Sequence, residues 1–254
     1  MENFRITSDY HTHTTYSHGK GSVMDNVLSA REKQLEIIAI TDHAKNHPLI
    51  GVRPEEFDKI RKDIESCQKQ VDDITILMGI EANIIGMSGA IDVEPRDQSK
   101  LDLLLVGFHL TAYQENLSDY FQLVWNGVTR YVMRPTKGQL ERNTRAYLNA
   151  IKKNKIDILT HPGFRLGIDY KAVGQACADE GTYVELSSRH RTPNDSCIED
   201  LLATDAMFVV NSDAHKVENV GKWDFALELI EKYNIPQSRI ANCNGKKLDF
   251  RSKR

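Results

Sequence analysis

Sulfur is scarce in this chain and unpaired in pattern: Cys67, Cys177, Cys197 and Cys243 are its four cysteines, with no C-x-x-C spacing among them. That excludes a sulfur-ligand zinc site and a disulfide framework, and reads as the reduced cysteines of a cytoplasmic protein. No apolar run approaches the roughly 20 residues that a bilayer-spanning helix needs. The opening stretch, MENFRITSDYHTHT, holds no apolar core of the signal-peptide kind. Neither sign of charge dominates. With 33 Lys+Arg against 36 Asp+Glu the formal net charge is −3, which leaves no electrostatic case for a nucleic-acid or membrane partner. The basic residues that thicken at the end (Lys246, Lys247, Arg251, Lys253, Arg254) read as a solvated tail. No Gly-rich phosphate loop follows the first apolar run, which argues against an open dinucleotide-binding sheet. No G-x-S-x-G nucleophile turn occurs either.

What is present is ordinary globular material, 40% apolar and 27% charged, enough for a full core. Short apolar runs alternate with longer amphipathic ones. The runs at 4–8, 36–40, 74–80, 103–107, 156–160, 182–186 and 206–210 are about five residues each and nearly continuously apolar, the pattern of strands buried on both faces. Helical periodicity fills 23–34, 55–71, 117–133, 139–153, 170–180, 195–203 and 223–233, with Ser22 and Asp169 placed to cap two of these helices. Repeated strand–helix pairs imply right-handed parallel βαβ units. Seven pairs predict an α/β fold in which a seven-stranded (β/α)7 TIM-like barrel, closed or nearly so, spans residues 1–254 as a single domain.

The informative residues follow the strands. In order they are Asp9-Tyr10-His11-Thr12-His13 with His18 beyond, Thr41-Asp42-His43, Glu81, His109, Thr160-His161-Pro162-Gly163 and Ser212-Asp213-Ala214-His215. In a parallel barrel the carboxyl ends of the strands share one face, where catalytic residues collect. A single histidine after a strand is ordinarily structural. With nine histidines in 254 residues, however, a three-residue window holds one by chance only about a tenth of the time, and five of the seven predicted strand ends carry one. His11 and His13 are two apart on extended chain, which places both imidazoles on one face. Asp213 and His215 repeat the spacing, from what this reading takes as the opposite side of the barrel. Imidazoles and carboxylates without thiolates suit zinc, manganese or iron. Seven histidines and two carboxylates exceed the four ligands of one zinc, so either several metals bind or some of these residues stand behind the ligands. A Ser–His–Asp triad drawing on Asp42 and His43 is the competing class, and it lacks a nucleophile turn.

Taken together, His11-Thr12-His13, Thr41-Asp42-His43, Gly79-Ile80-Glu81, Gly107-Phe108-His109, Thr160-His161-Pro162-Gly163 and Ser212-Asp213-Ala214-His215 resemble the PHP (polymerase and histidinol phosphatase) family in order and spacing across nearly the whole chain. Residues 79–84, 101–109 and 161–178 look closest to its stand-alone phosphatase branch. The resemblance implies a distorted seven-stranded barrel with three divalent ions (Zn, Mn or Fe). It implies a first metal on His11, His13, Glu81 and Asp213, with Glu81 bridging to a second completed by His109 and His161. His18, His43 and His215 would hold the third. Many relatives carry Asp where this chain has His18. Asp42 is expected to orient an imidazole from behind the ligands, while His47 and His190 read as solvated loop residues.

The activity so implied is hydrolysis of a small phosphate monoester, of the histidinol phosphate, sugar phosphate or nucleotide phosphate kind, by water acidified at clustered metals. Glu81, His18, Asp213 and Asp42 are the expected catalytic residues, and Arg165, Arg189 and Lys45 the expected phosphate contacts. Phosphodiester cleavage, exonuclease action and a non-catalytic metal-binding module remain as alternatives. The stretch at 110–155 is left between a lid and an oligomer contact. Phe121, Trp125 and Tyr131 read as core or as a surface between subunits of a homo-oligomer.

Overall fold

The computed structural model describes residues 4–129 and 135–253. Seven parallel strands form one nearly closed, barrel-shaped sheet in sequence order: β1 (Ser8–Thr12), β2 (Ile37–Ile40), β3 (Thr75–Asn83), β4 (Leu103–Gly107), β5 (Ile158–Leu159), β6 (Tyr183–Ser187) and β7 (Phe208–Asn211). Between and after them run α1 (Val23–Glu32), α2 (Phe57–Gln68), α3 (Pro95–Gln98), α4 (Leu117–Asp119), α5 (Trp125–Thr129), α6 (Lys137–Lys153), α7 (Tyr170–Glu180), α8 (Asp195–Leu202) and α9 (Asp224–Lys232), with a π-helical turn joining α4 to α5. Among the described residues no helix is long and apolar enough to cross a membrane.

Both faces of the sheet are buried, which is why its strands read as unbroken apolar runs. Tyr10, Ala39, Leu103, Leu105, Ile158 and Val209 pack together in one cluster. Ile38, Ile40, Leu104, Val106, Leu159, Val184, Leu186 and Val210 belong to the larger core they share with the helices. Local chemistry fixes the helix ends. Ser22 and Asp25 form a reciprocal capping box on α1, and Asp169 accepts from Ala172 N at the start of α7. Thr136 and Gln139 form a second box, so α6 begins two residues ahead of its predicted start.

The first strand lies later than expected. The pattern predicts 4–8, whereas the sheet pairs Ser8 with Ile37, Asp9 with Ile38 and Thr12 with Ile40. Three steps on β1 match two on β2, so β1 carries a bulge, and Asp9 to Thr12, expected to follow the strand, lie in it, with His13 directly after. Likewise β3 runs on to Asn83 and includes Glu81. Apolar patterning misses these extensions because the buried side chains there are polar and face one another. The 117–133 helix is broken into α4, the π turn and α5, and its last residues, with Tyr131, fall outside the described residues. Phe121 and Trp125 are exposed, not core.

The strand order also corrects one placement. β7 sits beside β1, not across from it: Thr12 bridges Ala214, and His13 N donates to Ala214 O at 2.8 Å. Below that bridge the seam is filled by residues 240–244. Ala241 N donates to Phe208 O (2.8 Å) and Asn244 N to Arg5 O (2.8 Å). The Asn242 side chain donates to Ser8 O and Val210 O at 2.8 and 2.7 Å and accepts from Val210 N at 3.0 Å. The segment thus satisfies backbone groups that an eighth strand would otherwise pair.

Candidate metal centre

Glu81 stands at the centre of the cluster, fully buried near the end of β3. Its Oε2 lies 3.3 Å from His11 Nε2, 3.5 Å from His13 Nε2 and 2.8 Å from His43 Nδ1. Its Oε1 lies 2.7 Å from His161 Nε2 and 3.4 Å from His109 Nε2. One carboxylate therefore faces two sets of imidazoles. Asp213 Oδ1 completes the first set, 3.4 Å from His13 Nε2 and 3.8 Å from His11 Nε2, and those two nitrogens are 3.1 Å apart.

These spacings test whether the residues suit a metal. Ligand atoms about 2.0–2.2 Å from one tetrahedral ion stand roughly 3.3–3.6 Å from each other, and His11, His13, Glu81 and Asp213 cluster about that range. Glu81 Oε2 and His43 Nδ1 are buried without a hydrogen bond despite their 2.8 Å approach, and His13 Nδ1 and His161 Nδ1 are buried without one too. Lone pairs crowded this closely and left unsatisfied fit a shared cation better than a hydrogen-bonded core. Groups of potential donors within 4.8 Å of one another include His11–His13–Asp213, His43–Glu81–His109, His13–His43–His215 and His161–His190–Asp213.

Electrostatics agree with a cation-binding role. Burial alone would raise the carboxyls of Glu81 and Asp213, yet the surrounding imidazoles outweigh it and hold both well below the usual range. Burial and neighbouring imidazoles push His13 and His109 well below the ordinary histidine value, and burial with His215 and His43 pushes His18 to about 3. Neutral imidazole is the form that ligates. For His11 burial is outweighed by Glu185, Glu81 and Asp213, which raise it well above the usual range. His161 and Asp213 both hold positive φ, 28° and 53°, a conformation that costs energy in side chains with a Cβ and concentrates at functional sites.

A second layer holds the ligands in place. Glu185 Oε1 lies 2.7 Å from His11 Nδ1, and Oε2 accepts from His161 N at 2.8 Å. Asn83 Oδ1 lies 2.7 Å from His109 Nδ1 while its amide donates to Asp92 at 2.7 Å. Sequence reasoning passed over these three. The available signal was a carboxylate or amide inside, or just after, an otherwise apolar strand. Asp42 acts differently from expectation. It touches no imidazole by hydrogen bond but accepts from Thr14 N and Thr14 Oγ1 (2.8 and 2.6 Å) and from Ser17 Oγ (2.5 Å), fixing the loop that carries His18.

Above the cluster opens a cavity of about 290 Å³ lined by His18, His43, His47, Phe108, Phe164, Arg165, Arg189 and His190, among others. Of the expected phosphate contacts, Arg165 and Arg189 reach it. Lys45 does not: it pairs with Glu94 at 3.5 Å and lines a separate surface hollow. His47 and His190 are not solvated loop residues. His47 Nε2 meets Thr111 Oγ1 at 3.0 Å, and His190 Nε2 lies 3.1 Å from Asp213 Oδ2 with its ring against Phe164. His18 and His215 stack edge to face, 4.1 Å between centroids.

Known proteins resemble this chain in sequence and in fold. The PHP domain family model matches residues 9–188. A protein of Caldanaerobacter subterraneus subsp. tengcongensis named "Probable phosphatase" is 29% identical over 254 residues, covering 96% of this chain and 90% of that one. One of the same name from Shewanella sp. strain MR-4 is 30% identical over 247 residues, covering 92% and 86%. In fold the chain is similar to the crystal structure of histidinol phosphate phosphatase from Lactococcus lactis subsp. lactis, complexed with zinc, L-histidinol and phosphate. The TM-score is 0.62 at 16% identity, over 96% of this chain and 98% of that one.

Proposed function

The chain belongs to the PHP domain family, and from that premise we propose that it is a metal-dependent phosphatase acting on a small phosphate monoester. The observation that carries the reading is the donor set of His11, His13, Glu81 and Asp213, spaced as ligands of one ion and set beneath a cavity rimmed by Arg165 and Arg189. Glu81 would bridge to a second ion on His109 and His161, and His18, His43 and His215 would hold a third. Zinc, manganese or iron bound there supplies Lewis acidity toward phosphate oxygens and acidifies water.

The protein's own groups supply the rest. Arg189, its Nη1 3.3 Å from Asp213 Oδ1, is placed to meet a phosphate at the cluster's edge, and Arg165 in the same cavity wall offers a second guanidinium; arginine's planar fork matches a terminal phosphate. Phe108, Leu110 and Phe164 in the wall leave room for an apolar or sugar-like body and limit water.

The deciding experiment is purification without chelator, metal content by elemental analysis, and assay on p-nitrophenyl phosphate and bis(p-nitrophenyl) phosphate with an EDTA control. Two or three ions per chain with EDTA-sensitive monoesterase activity are expected. Preference for the diester would replace this reading with a phosphodiesterase, and no bound metal after adding zinc or manganese would overturn it.

A further inference from the structure

We propose that the substrate carries, besides the phosphate to be cleaved, a second anionic group, carboxylate or phosphate, that docks in a basic cavity sharing a wall with the metal centre. The proposal rests on the phosphatase reading and narrows its substrate class. The cavity measures about 340 Å³ and shares Arg189, Asp213 and His215 with the space above the cluster. The two spaces therefore adjoin at these three side chains.

Four cations line it, Arg189, Arg191, Lys216 and Lys222. Two carboxylates face them, fewer than the cations. Asp213 is turned to the imidazoles and Arg189, and Asp224 lies in the first turn of α9, where the helix N-terminus favours negative charge. The partners of the outer cations hold them loosely. Arg191 meets Glu228 at 3.4 Å and Lys216 meets Glu218 at 4.0 Å, all four side chains more than 60% exposed, where such pairs contribute little. Lys222 donates to the neutral Asn219 amide oxygen at 3.1 Å. A bound anion can draw all three without breaking a buried pair. The converse also holds. Among the residues lining the space above the cluster, Asp213 is the lone carboxylate, so no free acid awaits an ammonium group. A substrate with an amine is disfavoured, and one with a second acid is favoured.

The test uses the metal-loaded full-length protein and alkyl phosphates of graded chain length ending in hydroxyl, carboxylate, phosphate or amine. Phosphate release gives kcat/KM, and calorimetry gives affinity independently of turnover. The expected result is an advantage of about tenfold or more for an acid terminus over hydroxyl at one or more chain lengths, with amine below hydroxyl; this is the size of effect that one or two well-placed charge pairs produce. The carboxylate and phosphate arms show which acid the cavity prefers. In a Lys216→Ala/Lys222→Ala double variant the ratio of acid to hydroxyl should fall toward one. Equal affinity for all termini, or an acid preference that survives the double variant, overturns the second subsite. Absence of phosphate release from every compound overturns the phosphatase reading instead, and the calorimetric ranking still decides the subsite.

Discussion

Glu185 Oε1 lies 2.7 Å from His11 Nδ1, which leaves His11 Nε2, 3.3 Å from Glu81 Oε2, as the ring nitrogen facing the cluster. Glu185 sits in β6, on the register partner of Val209. A strand two positions from β1 in the nearly closed sheet thus fixes the tautomer of a β1 histidine. Replacing it with Gln keeps the shape and removes the charge that strengthens the imidazole as a donor. Glu185→Gln is expected to weaken metal binding about 10- to 100-fold, the usual cost of losing such a partner. A metal titration in competition with a chromophoric chelator measures it, and unchanged affinity would remove Glu185 from the metal centre.

Glu81→Gln tests the bridge itself. The amide occupies the same volume but neutralises the one carboxylate that faces both imidazole sets, so turnover on p-nitrophenyl phosphate should drop by several powers of ten, on the order of what loss of a key charge-stabilising group costs, while the far-ultraviolet dichroism stays that of the wild type. Near-normal turnover would refute the bridging role.

How legible was all this in the sequence? The barrel could be read because strands buried on both faces leave continuous apolar runs, and the cluster because histidines repeat after them. Two kinds of information were hidden. Strand ends were misplaced at β1 and β3, where Asp9, His11 and Glu81 are buried polar residues that apolar periodicity treats as loop. The residues behind the ligands, Asn83, Asp92 and Glu185, gain meaning only from three-dimensional register. Lys45 illustrates the reverse error. Proximity to His43 in sequence suggested a phosphate contact, and the chain turns it toward Glu94 instead.

Asp42 yields a prediction that separates the proposed third ion from the proposed first two. Its two oxygens accept from Thr14 N, Thr14 Oγ1 and Ser17 Oγ. Asn offers one acceptor oxygen and presents an NH2 where the other stood, so the loop loses its anchor and His18 its position. In Asp42→Asn, bound metal should fall by about one ion per chain, since three-donor sites are the easiest to lose. The pair around Glu81 should stay loaded. Full retention of all ions would mean that His18 is not held by this loop, or is no ligand.

Removing the metals should destabilise the fold. Glu81, Asp213 and the imidazoles around them are buried, and several of their polar atoms have no hydrogen bond. A ligand present at a hundred times its Kd stabilises by about 2.7 kcal/mol, which in a chain of this size corresponds to a drop of roughly 5–10 °C on stripping. Differential scanning calorimetry before and after dialysis against EDTA, then after adding zinc, should show a reversible loss. A Tm indifferent to chelator would argue against tight structural metals.

The last prediction concerns the seam, which the seven-strand count makes unavoidable. Seven strands leave β1 and β7 joined near their carboxyl ends, by the Thr12–Ala214 bridge and by Tyr10 N donating to Asn211 Oδ1 at 3.0 Å, and below that Asn242 bonds both Ser8 and Val210. Truncation to Ala takes this partner from Ser8 O, Val210 O and Val210 N in a buried site, at about 1–3 kcal/mol for each group left unsatisfied. Asn242→Ala should therefore lower the unfolding free energy by several kcal/mol, read as a lower urea midpoint, whereas Asn242→Asp, which keeps an acceptor for Val210 N but loses both donated bonds, should fall as far or further because it also buries a charge. Because His11 lies on β1, His13 directly follows it and Asp213 lies just past β7, loosening this seam should also reduce metal affinity before the chain unfolds. A stable Asn242→Ala variant with unchanged metal content would show that the 240–244 segment merely packs against the barrel and does not hold it closed.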